Sequence, residues 1–294
     1  LEPASVSDTL VLPTFVVIGS MKSGTTTLQA WLDAQPDVEM APKEPNFFSR
    51  DEVWARGLRW YSDLFEPTSA PARGDVSPSY TNPLWAERAA ARMHEVIPDA
   101  RIVYLLRHPV DRLRSHYLHQ VRRARESRSL VEALADPNNP YVARSRYLAC
   151  MQPYIAHFPK EQIRVERLED LVVPGAPGWT RLLEHLGLPH RQPPGTHHYI
   201  GAEQPAYTRP LRWLADRGRL DSVRRLPAPV RAVGKAVALR RRAAGRRREE
   251  EAALAALPTA ALDAVWRDIA ELEAWVGRGP LWPADDGTGR SRPV

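Results

Sequence analysis

Residues 16–28 read VVIGSMKSGTTTL, and the fold class follows from this stretch. Phe15 to Ile18 form a β-branched and aromatic apolar run, the pattern of a buried strand. The run breaks at Gly19, and Gly24 follows in the turn. Thr25, Thr26 and Thr27 then open a helix whose Leu28, Trp31 and Leu32 sit at helical spacing. A strand, a glycine-bounded loop and a helix N-terminus together make an anion cradle. Free backbone N–H groups and the helix dipole both point at whatever occupies the loop. A ligand carrying phosphate or sulfate is expected there.

The kind of anion can be narrowed. A nucleoside-triphosphatase loop runs G-x-x-x-x-G-K-[ST], with its Lys after the second Gly. Gly19 and Gly24 have that spacing, but Thr25 stands at the Lys position, and the loop's Lys, Lys22, lies between the glycines. A degenerate nucleotide loop or a plain strand-to-helix turn is the competing reading. A second stretch, RIVYLLRHPVDRLRSHY at 101–117, repeats the theme. Ile102 to Leu106 is another buried strand, Pro109 stops it, and a helix is expected to begin near Asp111 as N-cap. Arg107 then lies at the strand's carboxyl end, where ligands of open α/β sheets bind. Its planar fork suits a phosphate, and Ser115 adds a neutral donor from the following helix.

These segments resemble the sulfotransferases that use 3′-phosphoadenylyl sulfate (PAPS). K-x-G-T-T-x-L at 22–28 is similar to their 5′-phosphosulfate loop, which implies that Lys22, Ser23, Gly24, Thr25, Thr26 and Thr27 hold the cofactor. R-x-P-x-x-R-x-x-S-x-Y at 107–117 is similar to their 3′-phosphate site and implies that role for Arg107 and Ser115. APKEPNFF at 41–48 resembles the K-E-x-x-F-F stretch of the heparan-sulfate-type branch, in which the Glu is the catalytic base. By that resemblance Glu44 takes the acceptor's proton and Lys22 stabilises the leaving phosphate. An alcohol needs such a base at neutral pH. His94, His108 and His116 are the alternative bases, although none falls in the pattern of the His-using branch. GDVSPSY at 74–80 resembles an acceptor-side G-E-K-S-P-x-Y segment and makes Asp75 and Ser77 candidate acceptor contacts; Lys43, beside Glu44, is a further candidate. Val76 replaces a Lys that assists catalysis in the glycosaminoglycan enzymes, which weakens the case for heparan sulfate itself as acceptor.

The resemblance implies an α/β fold, a single domain over 1–294 with a central parallel sheet flanked by helices and a P-loop-like phosphosulfate loop. It covers roughly residues 14–190 and returns at 254–282. PAPS is then the co-substrate, adenosine 3′,5′-bisphosphate the product, and a glycan, glycolipid or secondary metabolite the acceptor. No metal is called for. His197-His198 are adjacent rather than at ligand spacing, and Cys150 is the single cysteine. A P-loop-type small-molecule kinase or nucleotide-binding protein is the alternative function.

Composition is compatible with this. The 43% hydrophobic content supplies a sizeable core, and 28 Pro imply many punctuated loops. A single Cys excludes an internal disulfide and suits a reducing, cytoplasmic compartment; the Ala and Arg content suggests a bacterial source. Neither a transmembrane run nor a signal peptide is legible, and with Leu1 in first place a preceding segment stays open. A basic stretch at 235–251 carries seven Lys or Arg against three Glu and so supplies most of the net charge of +6. It reads as a solvated helical insertion (about 229–251) or as a docking surface at 235–248 for an acidic carrier or acceptor. Nucleic acid is a third option, against whose single-strand stacking the interleaved Ala and Val without aromatics argue. The late loop that closes the cofactor site in such enzymes is expected near His198, Tyr199, Arg209 and Arg212.

Overall fold

Alternation of buried strands with helices produces one five-stranded sheet, in the order β2-β3-β1-β4-β5. The computed structural model describes residues 10–66, 70–173, 177–193 and 259–283. The strands are β1 (Phe15–Gly19), β2 (Val38–Met40), β3 (Ala72–Val76), β4 (Arg101–Leu106) and β5 (Ile163–Arg167). Every pairing is parallel, with Val17 opposite Val76 on one side and Val103 on the other. Parallel sheets are covered on both faces, which is why β1 is apolar at each of its first four positions and buried throughout.

Alternate strand residues feed two cores. Val16, Ile18, Ile102, Tyr104 and Leu106 pack with α4 (Ala86–Val96), α8 (Tyr147–His157) and α11 (Thr259–Val276). Phe15, Val17, Val103 and Leu105 pack with α1 (Thr25–Asp33) and α10 (Gly178–Leu186). The first core also takes in Phe47, Phe48, Tyr61 and Tyr80, with Trp54 and Trp60 partly buried against it. Cys150 is buried and free.

A helix boundary differs from expectation. The helix after β4, α5 (Pro109–Arg122), starts at Pro109 with His108 at the N-cap, so Asp111 lies inside the first turn. Proline is well suited to this position because its missing N–H is one that a helix start leaves unbonded anyway. The segment Asp51–Ser62 forms two short helices, α2 (Asp51–Trp54) and α3 (Gly57–Ser62), divided where Gly57 adopts φ 83°. The stretch 127–143 contains two short helices, α6 (Leu130–Ala135) and α7 (Pro140–Ala143). A Ser129–Glu132 capping box starts the first of these. A short helix α9 (Leu168–Val172) follows β5. The basic stretch 235–251 and the residues expected in the late loop lie outside the described residues.

One carboxylate ties the C-terminal helix to the rest. Asp268 of α11 is buried and accepts from the backbone N–H of Leu148 (2.8 Å) and Ala149 (2.9 Å). It caps α8, whose own N-cap residue, Arg146, supplies no side-chain bond. Asp268→Ala is expected to cost about 1–2 kcal/mol, and Asp268→Asn less, in urea denaturation.

Candidate functional site

The parallel order brings four strand ends to one edge. β1 delivers the loop 20–24 and α1; its neighbour β4 delivers Arg107; β3 delivers 77–82; and β2 leads into 41–50. The Ser20 amide donates to Leu105 O at 2.7 Å and fastens the β1 loop beside β4. Lys22 and Gly24 are both left-handed, with φ 74° and 89°. Such backbone curls successive amides into an anion-binding concavity. A Cβ at Gly24 would come within 2.6 Å of the Leu168 side chain, so no larger residue fits there without movement.

Thr27 and Leu28 donate their amides to Gly24 O, so the amides of Thr25 and Thr26 head the helix with no acceptor behind them. Among the described residues the hydroxyls of Thr25, Thr26, Thr27 and Ser115 have no hydrogen-bond partner, and Lys22 makes no ion pair. The Ser23 side chain is wholly buried and bonded to Ser20 Oγ, and its amide donates to Ser20 O at 3.2 Å, so both are committed within the turn.

Positive charge crowds the loop. Burial lowers the Lys22 pKa, and the charges of Arg122, Arg107, Arg123 and Lys43 lower it further. His119 is held down to about 4 by burial and then by Lys22, Arg123 and Arg122. Lys22, Arg107 and Lys43, distant in sequence, are therefore brought together. His119, Arg122 and Arg123 were missed by reading the sequence. A signal was present, since Ser115, His119 and Arg122 stand at i, i+4 and i+7 on one helix face.

Arg107 is held by its backbone. Tyr147 Oη donates to Arg107 O at 2.7 Å, and Glu169 accepts from the next amide, that of His108, at 2.9 Å. The Arg107 guanidinium lies 3.9 Å from Asp111, a long pair that leaves the half-buried fork largely uncommitted. Arg112, the second Arg of that motif, is wholly buried and donates to Ser145 Oγ and Tyr141 O, so it braces α5 against α7.

The loop after β2 carries Lys43 and Glu44, both exposed. The Glu44 carboxylate has no partner among the described residues. Both Glu44 (φ 53°) and Asn46 (φ 57°) are left-handed. Phe47 and Phe48 anchor the loop; Phe47 stacks on Tyr61 with centroids 4.3 Å apart. Asp75 and Ser77 do not offer themselves to an acceptor as expected, because both are wholly buried. Asp75 accepts from Tyr61 (2.8 Å), Tyr80 (2.7 Å) and Ser77 (2.8 Å). Of the alternative bases, His108 packs on Trp266 and Trp282, His94 on His157 and Phe158, and His116 is wholly buried. Among the described residues no group of three His, Cys, Asp or Glu gathers at metal-binding distance, and no helix is long and apolar enough to cross a membrane.

A family model described as the sulfotransferase domain matches residues 12–198, more than half of the chain. The chain belongs to the sulfotransferase domain family. Among solved structures, this sulfotransferase domain is similar to a sulfotransferase from Alicyclobacillus acidocaldarius, with 29% identity and a TM-score of 0.54. That match covers 74% of this chain and 96% of the other. Among curated proteins it is 29% identical over 186 residues to mouse heparan sulfate glucosamine 3-O-sulfotransferase 3B1, covering 60% of this chain and 46% of the relative. It is 32% identical over 178 residues to mouse bifunctional heparan sulfate N-deacetylase/N-sulfotransferase 3, covering 56% and 20%. The chain thus spans less than half the length of these two relatives.

His116, beneath the cation cluster, titrates far from its ordinary 6.5. Burial first, then Arg112 and Arg144, hold it down to about 2. The unfolded chain therefore takes up this proton first. The stability so conferred is intact above about pH 6.5 and falls as pH drops from there, at up to about 1.4 kcal/mol per pH unit. His116→Gln is expected to flatten that loss between pH 6 and 4 in urea denaturation.

Proposed function

We propose that this sulfotransferase domain moves a sulfuryl group from PAPS to a hydroxyl of a glycan, glycolipid or secondary metabolite. The observation that carries the reading is the crowding of Arg122, Arg107, Arg123 and Lys43 around Lys22, beside a helix start whose Thr25 and Thr26 amides and Thr hydroxyls are unspent. Like charges brought together and partly desolvated favour a bound polyanion. Adenosine 3′,5′-bisphosphate carries phosphates at both ends of the ribose and suits this edge. Gly24, whose position admits no Cβ without movement, fits the same cradle.

When bound, PAPS supplies the sulfuryl group and the phosphate leaving group. In this reading the amides of Gly24 to Thr26 and the Thr hydroxyls hold the 5′-phosphate, and Arg107 with Ser115 holds the 3′-phosphate. Lys22 neutralises charge on the phosphate oxygen as its bond to sulfur breaks. Glu44 takes the acceptor's proton as the new oxygen–sulfur bond forms. Positioning and electrostatics dominate such a transfer, as in phosphoryl transfer. A glycan acceptor is placed first because the mammalian relatives act on heparan sulfate by name, while Val76 argues against heparan sulfate itself. We take the described residues as one domain and, from the lone Cys150, the compartment as cytoplasmic.

Calorimetric titration in EDTA tests the donor. Adenosine 3′,5′-bisphosphate is expected to bind, and 5′-AMP at least tenfold more weakly. Arg107→Ala should weaken the bisphosphate by about 1.5–3 kcal/mol, the worth of a charge-assisted bond. Binding of ATP with Mg²⁺ in place of the bisphosphate would mark a kinase-like protein instead. Glu44→Gln should keep the affinity for the bisphosphate and lower the rate of transfer from PAPS about 10²–10⁴-fold.

A further inference from the structure

Asp75 is a wholly buried carboxylate whose partners are three hydroxyls. No cation is among the partners it bonds. Burial raises its pKa, and the bonds from Tyr80, Ser77 and Tyr61 counter that shift. Keeping such a group inside a core is costly, and a stability role alone would be met better by apolar side chains. Its position suggests another use.

A carboxylate only accepts, so it fixes the direction of every bond made to it. The one proton of Ser77 Oγ is spent on Asp75, and its lone pairs then accept the backbone N–H of Asn46 at 3.0 Å. Asn46 is bonded on every side: Nδ2 donates to Glu44 O at 2.6 Å, and Oδ1 accepts from the Ser79 hydroxyl. A second tie joins Ser49 Oγ and Ser79 Oγ at 2.9 Å. The chain of bonds therefore runs from Asp75 through Ser77 and Asn46 to the backbone of Glu44. Left-handed backbone is disfavoured at a non-glycine residue such as Glu44 and persists where the surroundings enforce it. Tyr61 adds a mechanical link, since its ring stacks on Phe47 while its hydroxyl serves Asp75.

We propose that Asp75 and Ser77 are positioning residues for Glu44, holding its loop in the left-handed turn from which the carboxylate faces the acceptor. The proposal rests on the reading of Glu44 as base. Neither residue touches donor or acceptor; both act through Asn46.

The test uses Ser77→Ala, which removes the hydroxyl and leaves Asp75 two of its three donors. Three readouts are taken: hydrogen exchange at the Asn46 amide by NMR, adenosine 3′,5′-bisphosphate affinity, and transfer from PAPS to de-O-sulfated heparan oligosaccharide or 2-naphthol. Exchange at Asn46 should quicken about tenfold or more. The kcat should fall by about tenfold or more at an unchanged KM for PAPS and a bisphosphate affinity within about twofold. Ser77→Thr, which restores the hydroxyl, should bring back both. Wild-type exchange at Asn46 in Ser77→Ala overturns the proposal, and so does a wild-type kcat when Glu44→Gln is inactive. Glu44→Gln at the wild-type rate instead removes the base reading, and the proposal with it.

Discussion

Parallel pairing of β1 between β3 and β4 is the constraint on which the site depends. Parallel strands run the same way, so their carboxyl ends, and the loops that leave them, fall on one edge. The loop with Lys22, the Arg107 turn and the Glu44 loop share that edge for this reason alone. The same pairing requires both faces to be covered, which commits the helices to two cores. The bond from the Ser20 amide to Leu105 O sets the distance between the two anion-facing segments.

The edge is built in two physical styles. On the β1 and β4 side, cations crowd and amides remain unspent. Lys22 is partly desolvated and faces other positive groups, so its charge is most comfortable with an anion in place. On the β2 and β3 side, almost every polar atom is spent. Asp75, Ser77, Asn46, Ser49 and Ser79 bond to one another under a roof of Phe47, Phe48, Tyr61 and Tyr80. The first style suits a ligand that arrives and leaves. The second suits a side chain that must stay where it is.

The supports of Arg107 come from far along the chain. Tyr147 of α8 holds its carbonyl, and Glu169 after β5 holds the next amide. Trp266 of α11 and Trp282 beyond that helix pack on His108, and Asp268 of α11 caps α8. The C-terminal helix therefore reinforces the turn that carries Arg107.

Local pattern determined the strands β1 and β4, the helix after the glycine loop and the place of Arg107 at the end of a strand. Each of these rests on neighbours a few positions apart: a β-branched run, a Gly at a turn, an Arg at a strand end. Three-residue β2 escaped because so short a segment, with Glu39 at its centre, has no measurable period. The α6 capping box was legible and overlooked. Tertiary structure alone decided what Asp75 and Ser77 do. Their sequence context reads the same whether a carboxylate faces solvent or a core, and the choice was made by Tyr61 and Tyr80, which fold over it. It alone also gathered His119, Arg122, Arg123 and Lys43 around Lys22. Electrostatic crowding is a property of distances in space, and spacing along the chain fixes those distances only within a single helix or strand.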